Sequence, residues 1–380
     1  MRKTTAWLLA AWLAMTACTS SAGATAEAGS FSLPELGTVC IHTEAQKAVL
    51  ADPMNAPGLS DHDPVPEPVE IRWEYTGKAE SFTVSLSLRA DMADAAAYVC
   101  GEECRTENGC VLPVYNLLIG RTYYYTVTAD GQTSDVRSFT VEDEAPRNLY
   151  VEGVDNIRDV GGWKTEDGMR VRQGMIYRSA HPNDEHRARG SGEMLITEAG
   201  LETIRALGIR TQIDLRSANN GDLTESPFGP EVNYVLEQFT EVPAEIIFDP
   251  TVDHIAMQSS LFSDENGRAA IADVMRHFAD EENYPIVVNC SAGRDRTGVV
   301  TFLLNALLGV SEEDLFRDYM FSNLSVKVEA RTIENYLSND LGQIAGYEGE
   351  TLSEKACNYM LDIGLAEEEI DSIIRIMKEP

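Results

Sequence analysis

The chain has 380 residues, of which 43% are hydrophobic, and 30 Lys and Arg stand against 62 Asp and Glu for a formal charge of −32. The length suggests about two or three domains with room for a buried core. So acidic a surface repels polyanions and anionic lipid, which argues against a general nucleic-acid binder or a membrane-adhesive protein.

Arg2 and Lys3 precede an apolar run, Ala6 to Ala17, too short to span a bilayer as a mature helix. Residues 1–18 are therefore expected to be an export signal. Met15-Thr16-Ala17-Cys18 resembles a bacterial lipoprotein cleavage box, which implies lipidation at Cys18 and a membrane-anchored protein exported from a bacterial cell. Cleavage near Ala22-Gly23-Ala24, giving a periplasmic or secreted protein, is the alternative. Residues 19–66 read as a linker and irregular lead-in. Its Ser/Ala/Gly/Thr-rich start suits a flexible tether, Thr43 to Leu50 has helical character, and the Pro/Asp-rich run from Asp52 to Pro68 cannot hold a regular ladder. Asp61-His62-Asp63 reads as a polar turn rather than a metal site.

From 67 to 145 the pattern becomes alternating, in Val69 to Tyr75, Phe82 to Leu88 and Tyr123 to Val127, divided by Gly, Asp and Asn clusters. Period-two runs of this kind predict an all-β antiparallel sandwich. Leu117 to Tyr123 resembles the corner before the penultimate strand of fibronectin type III domains, with Tyr123 as the corner tyrosine and Tyr125 and Val127 facing inward. The resemblance implies a spacer or interaction domain. Cys100, Cys104 and Cys110 could supply one disulfide in an exported chain, either Cys104 to Cys110 or Cys100 to Cys110. Cys357 reads as a core cysteine.

Residues 146–380 alternate strand and helix patterns, which predicts an α/β domain with a parallel-type sheet flanked by helices. Asn156 to Trp163 opens it, and Arg158 beside Asp159 suggests a local ion pair propping a site. Met175 to Ser179 is a predicted strand with Arg178 in reach of phosphate. A helix is expected over Thr197 to Leu207, then a strand, Thr211 to Arg216, carrying Asp214 and Arg216 near its carboxyl end, where open α/β sheets place ligands. Residues 217 to 264 are poorly periodic apart from Val232 to Phe239 and are expected to carry lid or specificity segments. Helices are predicted over 268–280, 311–321, 326–337, 353–363 and 367–378.

The densest chemistry lies in Val287-Val288-Asn289-Cys290-Ser291-Ala292-Gly293-Arg294-Asp295-Arg296-Thr297-Gly298, a strand, a turn and a helix start. Amide groups at a helix start bind a dianion, and the same field favours a thiolate at Cys290. Arg296 offers a bidentate fork for two phosphoryl oxygens. Thr297 is placed to donate a hydrogen bond to the sulfur as it leaves. Gly293 can take positive φ, and Gly298 is expected to let the helix approach the strand.

Cys-x5-Arg-Thr after an apolar strand resembles the signature loop of the cysteine-dependent protein tyrosine phosphatases. The longer form, with Asn156 to Trp163, Ile176-Tyr177-Arg178-Ser179-Ala180 and Ile213-Asp214-Leu215-Arg216-Ser217, is similar to a bacterial branch acting on phosphotyrosine, phosphoserine/threonine and sometimes phosphoinositides. Where that branch usually has His and Lys, this chain has Asn289 and Arg294. The resemblance implies a cysteine phosphatase fold with Cys290 as nucleophile and Ser291, Ala292, Gly293, Arg294, Arg178 and Arg216 around the phosphate. Arg158, Asp159, Asn289 and Gly298 would give structural support. It also places Asp295 in the loop's mouth as first candidate for the general acid, with Asp214 second and an ion pair to Arg294 or Arg296 as the rival role for Asp295. The implied partner is a phosphorylated protein or a phosphoinositide, with no nucleic acid and no membrane contact beyond a lipid anchor. A surface module that captures phosphorylated ligands without turnover is the third possibility. No nucleotide-binding loop or metal-ligand cluster of convincing spacing occurs, so neither cofactor nor metal is expected.

Overall fold

The computed structural model describes residues 29–55, 65–183, 193–216, 224–239, 262–326 and 330–380. The export signal with Cys18, the Asp61-His62-Asp63 turn, residues 184–192, Ser217 and most of the 217–264 segment lie outside them. The chain divides into two compact units, one of residues 1–41 and 67–143, the other of 42–66 and 144–380.

In the first unit the described strands are β1 (Phe31–Ser32), β2 (Gly37–Val39), β3 (Val69–Tyr75), β4 (Phe82–Ser87), β5 (Ala96–Cys100), β6 (Arg105–Thr106), β7 (Gly109–Val114), β8 (Thr122–Ala129), β9 (Gln132–Thr133) and β10 (Arg137–Val141). They form one sheet ordered β1-β3-β7-β6 and another ordered β2-β10-β8-β4-β5, with β9 on β8. Alternation decides the faces: Val69, Ile71 and Trp73 are buried while Glu70, Arg72 and Glu74 are exposed. The inner faces meet where the Trp73 ring packs edge-on against Phe82 at 5.3 Å. Tyr123 folds back so that its hydroxyl oxygen accepts from the Leu118 amide at 2.7 Å, and Tyr125 and Val127 are fully buried.

Two expectations are corrected here. Part of the supposed lead-in is strand: β1 pairs antiparallel with the end of β3, and β2 runs parallel along β10. These strands of two and three residues are too short to show a period; backbone pairing holds them, and in β1 the Phe31 ring also packs on Tyr75 at 4.6 Å. Cys100, Cys104 and Cys110 are buried free thiols, not a bridge. Cys104 lies within hydrogen-bonding reach of both others and donates its thiol to the Gly101 carbonyl at 3.0 Å.

The second unit begins with α1 (Glu44–Ala51), which also leaves the supposed lead-in. Thr43 and Gln46 cap it reciprocally, and Val49 and Leu50 enter this unit's core. Then follow β11 (Arg158–Asp159), β12 (Arg170–Val171), β13 (Ile176–Ala180), α2 (Glu198–Ala206), β14 (Thr211–Asp214), β15 (Asn233–Leu236), α3 (Glu265–Ala279), β16 (Ile286–Cys290), α4 (Asp295–Leu307), α5 (Glu312–Phe321), α6 (Ile333–Tyr336), α7 (Leu352–Asp362), α8 (Glu367–Met377) and β17 (Lys378–Glu379). The main sheet is ordered β11-β13-β16-β14-β15, with its last four strands parallel and β11 antiparallel. Every residue of β16 is buried, as is α4 from Thr297 to Leu307, the signature of a central strand under a helix enclosed on all sides. The helix expected over 326–337 is described only as α6 and ends in a π-helical turn, Leu337–Leu341, because Thr332 and Asn335 form a cap that starts it late.

Candidate active site

Parallel pairing brings the carboxyl ends of three strands to one level: Ala180 of β13 sits beside Cys290, and Asp214 of β14 sits beside Asn289. Cys290 therefore ends the central strand, 2% exposed, and the chain turns through Ser291 to Arg294 into α4. Gly293 makes the turn possible. Its φ is +63°, and a Cβ there would lie 2.2 Å from the Ser179 carbonyl oxygen.

Every carbonyl of the loop is tied from outside. The His181 amide donates to the carbonyls of Cys290 and Ser291, at 2.9 and 3.1 Å. Asn156 Nδ2 donates to those of Ala292 and Gly293, both at 3.0 Å. Arg178 Nη2 donates to those of Gly293 and Arg294, at 2.9 and 3.3 Å. With the carbonyls turned outward, the amides face the concavity, and those of Ala292 and Gly293 have no acceptor among the described residues. The start of α4 carries no side-chain cap, so its first amides add to the same cup. Such a cup binds an anion of tetrahedral oxygens.

Arg296 lies across the loop, its Nη1 donating to the Leu215 carbonyl at 3.2 Å and its Nη2 to Ser291 Oγ at 3.3 Å. Among the described residues it has no carboxylate partner, so its charge is available to an anion. Thr297 Oγ1 is buried without a partner among the described residues, which leaves its proton for the sulfur. Asn289 has the supporting place expected of it: its carbonyl oxygen accepts from Gln212 at 2.8 Å and its amide donates to Asp214 at 3.3 Å.

The other arginines and acids take different roles from those expected. Arg178 does not reach phosphate. It is buried, donates to Thr301 at 2.8 Å and to Asp318 at 2.6 Å, and spends its remaining donors on the loop carbonyls. Burial, together with the nearby Arg158 charge, pushes it down to about 10. Arg216 is likewise buried, and its fork holds Asp214 at 2.9 to 3.1 Å. Asp214 also accepts from Tyr234 at 3.1 Å and has no exposed surface, so it braces the strand ends and is closed off from a leaving group. Arg294 is buried against Asp295 at 3.2 Å and lines a cavity behind the loop with Thr301 and Tyr336, not a phosphate seat.

Arg158 and Asp159 do not pair with each other, because neighbours on a strand point to opposite faces. Arg158 binds Asp318 at 2.8 Å and Asn156 at 2.6 Å, whereas Asp159 meets Arg147 at 2.8 Å and accepts from the Gly161 and Gly174 amides. Gly298 is not needed for close approach, since an added Cβ would meet only Arg178 at an ordinary 3.8 Å.

Asp295 heads α4 and is held by Arg331 at 2.8 Å as well as by Arg294. Burial opposes its charge, but the two guanidinium groups outweigh that and hold it at about 2. With Arg294 and Arg331 both bound to it, Asp295 has the ion-pair role that stood as the rival to its candidacy as general acid.

Asp318, Arg331 and Asn156 carry much of this geometry without having been singled out from the sequence. Asp318 had a faint signal, a carboxylate between Leu315 and Tyr319 on the buried stripe of α5. Burial opposes charge on Asp318 too, yet Arg158 and Arg178 keep its carboxyl below the usual range. Arg331 had no signal, because its partner is 36 residues away in sequence.

A family model described as the tyrosine phosphatase family matches residues 149–374. A candidate tyrosine-protein phosphatase of Cupriavidus necator is 30% identical over 185 residues, 46% of this chain and 63% of that protein. The chain thus spans somewhat under two thirds of that relative's length. A tyrosine-protein phosphatase of Nostoc commune is 23% identical over 209 residues, 47% of this chain and 69% of that protein. Among solved structures, P. aeruginosa TpbA in complex with pTyr is 15% identical, with 55% of this chain and 89% of that chain covered and a TM-score of 0.23.

Proposed function

The chain belongs to the tyrosine phosphatase family, and on that premise we propose that it hydrolyses phosphomonoesters through a cysteinyl-phosphate intermediate, phosphotyrosine foremost and phosphoserine and phosphothreonine as the wider range. The observation that carries the reading is the loop after Cys290, whose carbonyls are all tied outward so that its amides form a cup around the sulfur. In the proposed path Cys290 attacks phosphorus, the loop amides and Arg296 hold the equatorial oxygens, Thr297 donates to the departing sulfur, and water completes hydrolysis. No metal or cofactor takes part in this path.

A phosphoinositide preference would rest on Arg294. Its burial against Asp295 supports protein phosphate over lipid phosphate. The proposal extends to the rest of the chain: an exported lipoprotein anchored at Cys18, on the strength of Arg2, Lys3 and the Met15-Thr16-Ala17-Cys18 box, with a fibronectin type III-like spacer, on the strength of the Tyr123 corner. The test is turnover of 4-nitrophenyl phosphate and of phosphotyrosine, phosphoserine and inositol-phosphate substrates by wild type and Cys290→Ser. Loss of turnover in the variant is expected. Equal rates would exclude the cysteine route, and tight binding of a phosphotyrosine peptide with no wild-type turnover would make the chain a capture module.

A further inference from the structure

The chain at the end of β14 is turned by its own side chain. Asp214 Oδ1 accepts from the Arg216 amide, two residues on, at 3.1 Å, which makes an Asx turn. A trans peptide sets its N–H and C=O on opposite sides, so an Arg216 amide drawn back to Asp214 aims the Leu215 carbonyl the other way. That carbonyl accepts from Arg296 Nη1 at 3.2 Å, while the Leu215 amide stays on the central strand and donates to the Asn289 carbonyl at 2.8 Å. Arg296 Nη2 is held at its other end by Ser291 Oγ at 3.3 Å. A guanidinium is planar, so fixing two of its nitrogens fixes the plane of the fork. The carboxylate that starts this chain is itself held on both oxygens. The Arg216 fork closes on it at 2.9 to 3.1 Å, and Tyr234 and Asn289 donate to it at 3.1 and 3.3 Å. Asn289 is oriented in turn by Gln212 at 2.8 Å, and Gln212 accepts from Ser226 at 2.6 Å. Asp214, Asn289 and Gln212 have no exposed surface, so water does not compete for these bonds.

We propose that Asp214 is the positioning residue for Arg296, acting through the Leu215 carbonyl to set the plane in which the fork meets the equatorial oxygens of the phosphoryl group. The inference rests on the phosphatase reading. Arg296 is the catalytic residue, and Asp214 neither touches the phosphoryl group nor gives up a proton. Pairing with Arg216 serves the same end, since it satisfies the Asp214 charge and leaves that of Arg296 to the ligand. A residue of this kind acts in every state that contains the phosphoryl group, from the bound ester to the phosphate product. Its loss therefore weakens product binding along with turnover, whatever the leaving group. A general acid, by contrast, acts only on the bond to the leaving oxygen. In Asp214→Asn the amide nitrogen must face one of the donors that the carboxylate accepts, so the Leu215–Arg216 peptide loses its fixed orientation.

The test measures kcat/KM for 4-nitrophenyl phosphate and for an alkyl phosphate, and inhibition by inorganic phosphate, in wild type and Asp214→Asn. The variant is expected to lose on the order of tenfold to a hundredfold in kcat/KM, by the same factor on both substrates, with phosphate inhibiting more weakly. A double-mutant cycle then asks whether the effect runs through Arg296. In the background of Arg296→Lys, which keeps the charge but not the fork, adding Asp214→Asn is expected to cost less than about threefold more. No loss, a larger loss on the alkyl phosphate, unchanged inhibition by phosphate, or a full loss that persists beside Arg296→Lys each overturns the proposal. Should Asp214→Asn not fold, Asp214→Glu decides by the same criteria, because it keeps the charge for Arg216 but carries the carboxylate past the Arg216 amide. Cys290→Ser serves as the separate control: if it turns over 4-nitrophenyl phosphate like wild type, the phosphatase reading fails independently of the role of Asp214.

Discussion

Asp318 is the position where the supporting geometry is most sharply testable. Its carboxylate lies between two buried guanidinium groups, 2.8 Å from Arg158 Nε and 2.6 Å from Arg178 Nη1. Arg158 and Arg178 are 1% and 2% exposed. Asp318→Asn keeps the shape but removes the charge and turns an N–H donor toward a guanidinium. Two cations that already repel one another are left without an anion between them. Breaking a buried ion pair by removing one partner costs about 3–5 kcal/mol. For a domain of this size a melting midpoint moves about 2–4 °C per kcal/mol, so a drop on the order of 10 °C is expected. The carbonyls of Gly293 and Arg294 would lose a fixed tether, and a misplaced loop costs on the order of tenfold to a hundredfold in kcat. Thermal unfolding followed by circular dichroism, with kcat on 4-nitrophenyl phosphate well below the midpoint, reads both. The pH dependence gives a third check. Because the Asp318 carboxyl is held below its ordinary value of 3.8, its contribution is present above that value and is lost as pH falls through the folded one. The gap between wild type and variant should therefore shrink only at strongly acid pH. A midpoint that moves by less than about 2 °C at pH 7 would falsify the claim that this carboxylate holds the two arginines.

Gly293→Ala should abolish turnover while leaving the chain folded, since the Cβ meets the Ser179 carbonyl oxygen and a left-handed residue other than glycine costs a further ~1–2 kcal/mol; a variant that keeps wild-type kcat contradicts the loop geometry. Tyr123→Phe orphans the Leu118 amide and should cost about 1–3 kcal/mol in the first unit, seen as an earlier unfolding step, with phosphatase turnover unchanged. For Asp340, buried in the π-helical turn, the sign is opposite to that of Asp318. Its folded value is raised, so wild-type stability is highest below the unfolded value of 3.8 and falls as pH rises toward the folded one. Asp340→Asn should remove that decline, and a wild-type midpoint that stays flat from pH 4 to 7 relative to the variant would count against a protonated Asp340.

The sequence made the nucleophile loop legible because its chemistry is local: the cysteine, the arginine and the hydroxyl all lie on one turn, and strand and helix periodicities frame it. The corner at Tyr123 was legible for the same reason, since donor and acceptor are five residues apart. The arginines were not. Arg178, Arg216 and Arg294 stand in motifs beside the phosphate site, but whether a guanidinium reaches the ligand or braces the backbone depends on which carboxylate folds against it. Arg178 is decided by Asp318, 140 residues away, and Asp295 by Arg331, 36 residues away. Adjacent charges misled in the other direction: Arg158 and Asp159 look like a pair in sequence, yet the strand sends them to opposite faces. The short strands β1 and β2 were hidden because a strand of two or three residues has no period to show.

These placements explain how so acidic a chain can hold a dianion. Arg158, Arg178, Arg216, Arg294, Arg296 and Arg331 gather around the loop, and the carboxylates that pair with them among the described residues are Asp214, Asp295 and Asp318, so guanidinium groups outnumber carboxylates in this described set although the reverse holds over the whole chain. Most of those arginines are held in pairs with carboxylates, whereas Arg296 has only a carbonyl and a hydroxyl as partners among the described residues and keeps its charge for the ligand. Burial and the Asp295 charge raise the Asp340 carboxyl well above its ordinary value, which works in the same direction, because an ionised carboxylate there would cancel one more guanidinium and weaken the field that draws phosphate in. On this argument ionisation of Asp340 should weaken capture of the dianion, so KM for 4-nitrophenyl phosphate should rise with pH in wild type and stay flat in Asp340→Asn. A KM that rises equally in both would mean that the neutral carboxyl has no part in the field.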